Sequence, residues 1–110
     1  MLENNIAMSY GSAAILHAVA SGRRFGFDIM EATGLTSGTV YPALERLESR
    51  GLLRSKWEEE ATARREGRPA RRYFTLTAAG ATALKAALDR YKALRPIPGF
   101  AGPEGPAYNT

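Results

Sequence analysis

The sequence predicts a mainly α domain with a small β-wing, and three observations predict it. Apolar residues recur at helical spacing in successive stretches up to Gly51. The period then drops to two in a pair of short runs, separated by a polar segment rich in arginine. A helical period resumes after Thr77. With 110 residues the chain has room for one small domain. A domain of this size buries only about two-thirds of its unfolded surface, so pairing with a second copy would help it.

Residues 1–8 are read as a leader, in which Asn4 and Asn5 favour a turn or disorder. Ser9 to Ala20 is the first helix, with Ser12, Ile15, Leu16 and Val19 on one face and small alanines between them. Ser21-Gly22 ends it. Phe25 to Thr33 is a short second helix, to which Phe27, Ile29 and Met30 contribute apolar side chains. Gly34 suits a left-handed C-terminal residue, and Leu35 packs across a joint of about four residues, the length of a helix-turn-helix turn.

The third helix is the centre of the reading. Val40, Leu44 and Leu47 share one face, Thr36 is the expected N-cap, and Gly51 supplies the stop. Ser37, Gly38 and Thr39 then present N–H groups and hydroxyls at the positive end of the helix dipole, a seat for phosphate. Pro42 crowds only the carbonyl of Gly38 in the first turn, where distortion is tolerable. Arg46 and Arg50 occupy the second half, where cations suit the dipole.

Leu52 to Glu60 reads as a strand with Leu53, Ser55 and Trp57 on one face and Leu52, Arg54 and Lys56 on the other. Ala61 to Ala70 is a polar loop, and Arg71 to Leu76 a second strand with Tyr73 and Phe74 on opposite faces. Two strands and a basic loop after three helices make a wing. Thr77 caps a fourth helix running to about Leu94, along which Ala81, Leu84, Leu88 and Tyr91 follow an a/d-like spacing. The segment after Arg95 holds four prolines and three glycines and is expected to be a disordered tail. The resulting division is a leader at 1–8, a winged helix-turn-helix at 9–76, a C-terminal helix at 77–95 and a tail at 96–110.

The net charge of +4 and a pI near 9.8 point to acidic partners. The charge is concentrated: between Ala61 and Arg72 stand five arginines and one glutamate. Arginine suits phosphate because its planar fork donates two hydrogen bonds at once. The same arginines can instead pair with Glu58, Glu59, Glu60 and Glu66 in a solvated loop. Tyr41 lies off the apolar stripe, free either to donate its hydroxyl to a phosphate or to pack half-buried on the second helix. Ser37 and Thr39 either read phosphate and a base edge or stabilise the helix start. Trp57 is expected in the core between wing and helices. His17 is the only histidine and is expected exposed or half-buried; with no cysteine in the chain and no acidic cluster on its turn, no metal site is predicted. No glycine-rich phosphate loop or nucleophile–base constellation is present, so catalysis and cofactors are not predicted. No apolar run is long enough to span a membrane, MLENN is not a signal peptide, and the absence of cysteine excludes disulfides. A cytoplasmic location is the expectation.

The stretches GFDI (26–29), SGTVYPALERLESRGLL (37–53), Trp57-Glu58-Glu59 and GRPARRYFTLTAAG (67–80) together resemble the PadR-like family of bacterial winged-helix transcription regulators. The resemblance covers about residues 9 to 94. The family's usual tyrosine after the helix-two glycine is Phe27 here, and the proline common before the recognition-helix glycine is Ser37. It is the short type, whose single C-terminal helix forms a two-fold dimer together with the first helix. The resemblance implies a homodimeric repressor of a palindromic double-stranded DNA operator, released by a small-molecule effector. It implies that the helix from Ser37 enters the major groove, that Thr39 and Tyr41 touch phosphates or base edges, and that the wing around Arg68 reaches adjacent backbone or minor groove; Gly38, Arg46, Lys56 and Arg71 are expected to join them on DNA, and Ile15, Ala81, Leu84, Leu88 and Tyr91 to form the dimer seam. In some multidrug-responsive relatives an aromatic residue on the last helix sandwiches flat ligands, a place where this chain offers Tyr91 and no tryptophan. Two rivals stand beside this reading: a winged-helix protein-interaction module without sequence-specific DNA binding, and a small-molecule-binding protein without DNA.

Overall fold

A computed structural model describes residues 8–91. Most of the expected leader, all of the expected tail and the end of the last helix lie outside that range.

Helix α1 spans Tyr10–Ala20, with Ser9 as its N-cap; the Ser9 hydroxyl accepts from the Ser12 N–H at 3.1 Å. Every residue from Ser12 to Ala20 is buried. The helix is therefore enclosed on all sides rather than amphipathic, and its alanines let neighbouring elements come close. His17 lies within this enclosed run and is only 2% exposed, which corrects the expectation of an exposed or half-buried residue. Helix α2, Gly26–Thr33, ends on Gly34, whose φ of 76° places it in the left-handed region as the sequence suggests. Helix α3, Ser37–Ser49, buries Val40, Ala43, Leu44 and Leu47 and runs unbroken through Pro42. It stops at Gly51, with φ 78°, where the Leu52 N–H returns to the Leu47 carbonyl at 3.0 Å.

Strands β1 (Leu53–Trp57) and β2 (Arg72–Leu76) pair antiparallel, with Leu53 opposite Leu76, Ser55 opposite Phe74 and Trp57 opposite Arg72. That face carries Leu53, Phe74 and Leu76 into the core. The free edge of β2 is covered by the α1–α2 connection: the Phe74 N–H donates to the Arg24 carbonyl at 2.7 Å. Between the strands the expected polar loop instead contains helix α4, Glu60–Arg65. Its glutamate begins it and its arginines end it, matching the dipole, and Ala63 is its buried anchor. Helix α5, Ala78–Arg90, is capped by Thr77, whose hydroxyl accepts from the Gly80 N–H at 2.9 Å.

Two side chains expected inside are outside. Trp57 is 62% exposed and Phe27 63%. The reason is the direction of β1. It leaves the C-terminal end of α3 and runs back along it, so Leu53 meets the core, Ser55 bonds Glu48, and Trp57 comes level with the exposed N-terminal half of α3. Phe27 faces the same space from the first turn of α2.

Candidate nucleic-acid interface

The first turn of α3 stands in solvent. Ser37, Gly38, Thr39 and Tyr41 are all exposed. Thr36 has the extended backbone of an N-cap, yet its hydroxyl caps no N–H and lies 3.5 Å from the Thr39 hydroxyl instead. Among the described residues the N–H groups of Ser37 and Gly38 therefore meet no protein acceptor. Unsatisfied donors at the positive end of a thirteen-residue helix are suited to an anion. Arg46 is exposed seven residues beyond Thr39, two turns along the same row.

Tyr41 combines both properties the sequence left open. It is 49% exposed, and its ring lies directly on Gly26 of α2, so close that a Cβ on that glycine would overlap the phenol. Gly26 is thus required by the approach of a neighbouring side chain.

The wing arginines are held rather than loose. Arg68 donates both terminal nitrogens to the Glu58 carboxylate, at 2.6 and 2.9 Å, and Glu58 also accepts from the Arg71 N–H at 3.1 Å. The Arg68 hydrogen bond, together with that N–H and the nearby guanidinium charges, outweighs burial and holds the Glu58 carboxyl at about 2 instead of 4.5. The pairing raises the Arg68 pKa in turn. The Arg71 guanidinium lies 4.0 Å over the Phe25 ring and forms no carboxylate pair among the described residues.

Arg72 joins the wing to α3. It donates to Glu45, to Glu48 and to the Ser55 hydroxyl, the last itself a donor to Glu48 at 2.7 Å. Its pKa is raised, chiefly by the Glu45 hydrogen bond. This cluster was not read from the sequence. The signal was there, since Glu45 and Glu48 sit one turn apart on α3, but their partner enters from twenty-four residues downstream of Glu48.

Tyr41, Arg68 and Arg71 line one cleft between α2, α3 and the wing. Lys56 is exposed on the opposite face of the hairpin, beside Arg24, Arg54 and Tyr73, and so is separated from that group. Of the expected dimer residues, Ile15 and Leu84 are fully enclosed in the protomer's own core. Ala81 and Leu88 pack against that core from its margin. Tyr91 donates its hydroxyl to the Met8 carbonyl at 2.6 Å and meets the Tyr10 ring edge-on at 5.3 Å. The exposed residues of α5 are instead Ala78, Ala79, Thr82, Lys85, Ala86, Asp89 and Arg90. Among the described residues no helix is long and apolar enough to cross a membrane, and no group of side chains is arranged to hold a metal ion.

Among solved structures the fold is shared with a PadR family transcription regulator from Clostridium difficile, at 24% identity and a TM-score of 0.64 over 77% of this chain and 90% of that one. It is shared with a transcriptional regulator from Clostridium thermocellum, at 22% identity and a TM-score of 0.61 over 74% of this chain and 82% of that one. A PadR family transcriptional regulator from Eggerthella lenta is 25% identical, with a TM-score of 0.55 over 74% of each chain. No curated protein sequence matches at a significant level. The sequence itself matches the transcriptional regulator PadR-like family over residues 15–86, from within α1 to within α5. On a match of that extent, the chain belongs to the PadR-like family of transcriptional regulators.

Proposed function

We propose that this chain is a homodimeric repressor that binds a roughly palindromic operator and releases it when an effector binds. The observation that carries the DNA half is the exposed first turn of α3, with its unsatisfied N–H groups beside a half-exposed tyrosine and the arginines of the wing. In this reading α3 enters the major groove by its N-terminal end. The N–H groups of Ser37 and Gly38 take a phosphate. Thr39 and Arg46, on one row, face base edges, where arginine pairs best with guanine. Tyr41 donates to the backbone. Arg68 reaches a phosphate by exchanging it for Glu58, and Arg71 by sliding off Phe25. Lys56, on the far side of the hairpin, would meet only flanking backbone.

Two protomers related by a two-fold axis would place their recognition helices roughly 34–36 Å apart, in successive major grooves. The outward face of α5 and the margin formed by Ala81, Leu88 and Tyr91 are the surface for that pairing, with Ile15 and Leu84 shaping it from within. Effector release would follow from a change in the angle between subunits. Support for this route is that Thr77, at the start of α5, bonds the Gly51 carbonyl at the end of α3, so the two helices move together.

The test is fluorescence anisotropy against the DNA upstream of the chain's own gene, with scrambled DNA alongside and salt varied. One duplex should bind tightly with two protomers, and log affinity should fall linearly with log salt. Arg68→Ala with Arg71→Ala should weaken binding to all sequences and make the salt slope shallower by about 2. Absence of binding to any duplex at low salt would favour the protein-interaction module.

A further inference from the structure

The wing hairpin has a second face. Side chains alternate along each strand, so Arg54 and Lys56 of β1 and Tyr73 and Thr75 of β2 point away from α3, which bonds the other face through Ser55 and Arg72. Strand pairing sets Arg54 opposite Thr75 and Lys56 opposite Tyr73. Arg24 joins them from beyond the edge of β2, where its carbonyl accepts the Phe74 N–H and its Nε donates to the Phe74 carbonyl at 3.4 Å. Arg24, Arg54, Lys56, Tyr73 and Thr75 line one hollow. The three cations therefore form a triangle, with backbone positions about 7 Å apart along β1 and about 10 Å apart across the strands, and two hydroxyls lie between them.

All three cations are exposed, and none has a carboxylate partner among the described residues. On the other side of the hairpin Arg68 and Arg72 are tied to Glu58, Glu45 and Glu48. Glu59, exposed at the tip end of the outer face, pairs with none of the three. From this geometry we propose that the outer face of the hairpin binds the phosphate backbone of a second DNA duplex, so that a protein seated on its operator holds another DNA segment alongside. Like charges placed this close repel one another until a polyanion offsets them. Apart from Trp57 at the tip end, the face carries no exposed large apolar side chain. Exposed cations and hydroxyls are the make-up of a nucleic-acid contact, whereas the centre of a protein interface is apolar.

This inference rests on the DNA reading of α3. The operator itself is a poor occupant of the outer face. The recognition helix and the outer face lie on opposite sides of the hairpin, so the operator's flank would have to bend sharply around the wing, a deformation that a separate duplex avoids. Lys56, nearest the tip, is the one of the three that flanking backbone also reaches; Arg24 and Arg54 lie further back toward the core. Three cations on phosphates make the second contact independent of sequence, with a log–log salt slope of about −3 for each protomer engaged.

The full-length protein is added to beads carrying the duplex upstream of its own gene, and capture of a fluorescent duplex of unrelated sequence is measured at low salt. The wild type should capture it. Arg24→Gln with Arg54→Gln should lower capture by roughly tenfold or more, while operator affinity, read by anisotropy, stays within about twofold. Because Arg24 also bonds Phe74, Arg54→Glu is the second variant; its position is exposed, so it should melt with the wild type and lose capture at least as far. Absence of capture by wild-type protein that holds the operator overturns the second contact. Undiminished capture by both variants overturns this face and gives the bridge to the recognition helix of a second protomer. A fall in operator affinity as large as the fall in capture means that the face grips the flank of one duplex, and overturns bridging. Displacement of the unrelated duplex by polyglutamate at lower charge concentration than by unlabelled duplex assigns an acidic protein as the occupant and overturns DNA. Wild-type protein that binds no immobilised duplex is a failure of the repressor reading; binding of the unrelated duplex in solution that both variants abolish then still supports the face, and its absence overturns the face as well.

Discussion

Gly80 tests the packing of the C-terminal helix against the wing. It sits in the first turn of α5 and is buried. A Cβ built on it would overlap the carbonyl oxygen of Leu52 and approach the Leu76 Cδ1 at 3.0 Å. The obstacle is backbone, which cannot rotate away. Helix propensity alone predicts that Gly80→Ala is stabilising by about 1 kcal/mol. Geometry predicts the opposite. To admit the methyl group, α5 must withdraw from the Gly51–Leu52 turn, where the Thr77 N–H donates to Leu52 at 3.2 Å and the Thr77 hydroxyl to Gly51 at 2.7 Å. Forcing volume into a packed site costs about 1–3 kcal/mol, and two weakened hydrogen bonds cost about 1 kcal/mol each. The balance is a destabilisation of about 2–4 kcal/mol, or roughly 10–30 °C in melting temperature for a domain of this size.

The assay is thermal unfolding followed by circular dichroism, at one protein concentration throughout because pairing would make the midpoint concentration-dependent. Ala79→Gly is the control. That position is exposed one residue away, so it should lose only the propensity term, about 1 kcal/mol. If Gly80→Ala melts at or above the wild type, the close approach of α5 to Leu52 is not what requires glycine there.

Three further outcomes follow from the site. Arg72→Met should cost about 1–2 kcal/mol, mostly from the Glu48 and Ser55 contacts since Glu45 is largely in water, and Arg72→Lys should recover little because one ammonium cannot span three acceptors; urea unfolding of both checks this. Glu58, held at about 2 in the folded protein against 4.5 unfolded, contributes stability that is complete above pH 4.5 and is lost as pH falls through the native value; the urea midpoint of the wild type should therefore fall on acidification more steeply than that of Glu58→Gln, and parallel profiles would contradict the shift. Gly26→Ala should push the Tyr41 ring outward, because that side chain is half in water and can swing, so the melting temperature should change by only a few degrees while operator affinity falls as far as in Tyr41→Ala.

The parts legible in the sequence were those decided locally. The stripe of Val40, Leu44 and Leu47, the left-handed glycines at 34 and 51 and the Thr77 cap each depend on neighbours within a few residues, and each is present in the structure. Helix α4 was hidden because six residues are too few to display a period. The exposure of Trp57 was hidden for another reason. Alternation correctly placed it on the face of Leu53, but not how far along that face the core extends; that depends on where β1 passes the end of its partner helix. In α1 the alanines looked like filler between apolar residues. They are the reason the helix can be enclosed on all sides, so its apolar stripe does not identify an outward face.

The same contacts bear on how a signal can reach the recognition helix. Helix α3 is fastened at its C-terminal end by Thr77 and along its middle by Arg72, while its first turn makes no comparable bond to the wing. A ligand acting at the fastened end cannot bend α3 without breaking those bonds; it can only rotate helix, wing and α5 as one body. A contact made at the first turn of α3 acts at the free end instead. The two routes predict different hydrogen-exchange patterns. A whole-body rotation leaves the Leu52 and Thr77 amides as protected as before, and so does a contact at the first turn, but only the latter changes exchange at the N-terminal turn of α3 in the absence of DNA. Altered exchange at Leu52 and Thr77 on adding an effector would mean that the fastened end opens, and that α3 and α5 do not move together.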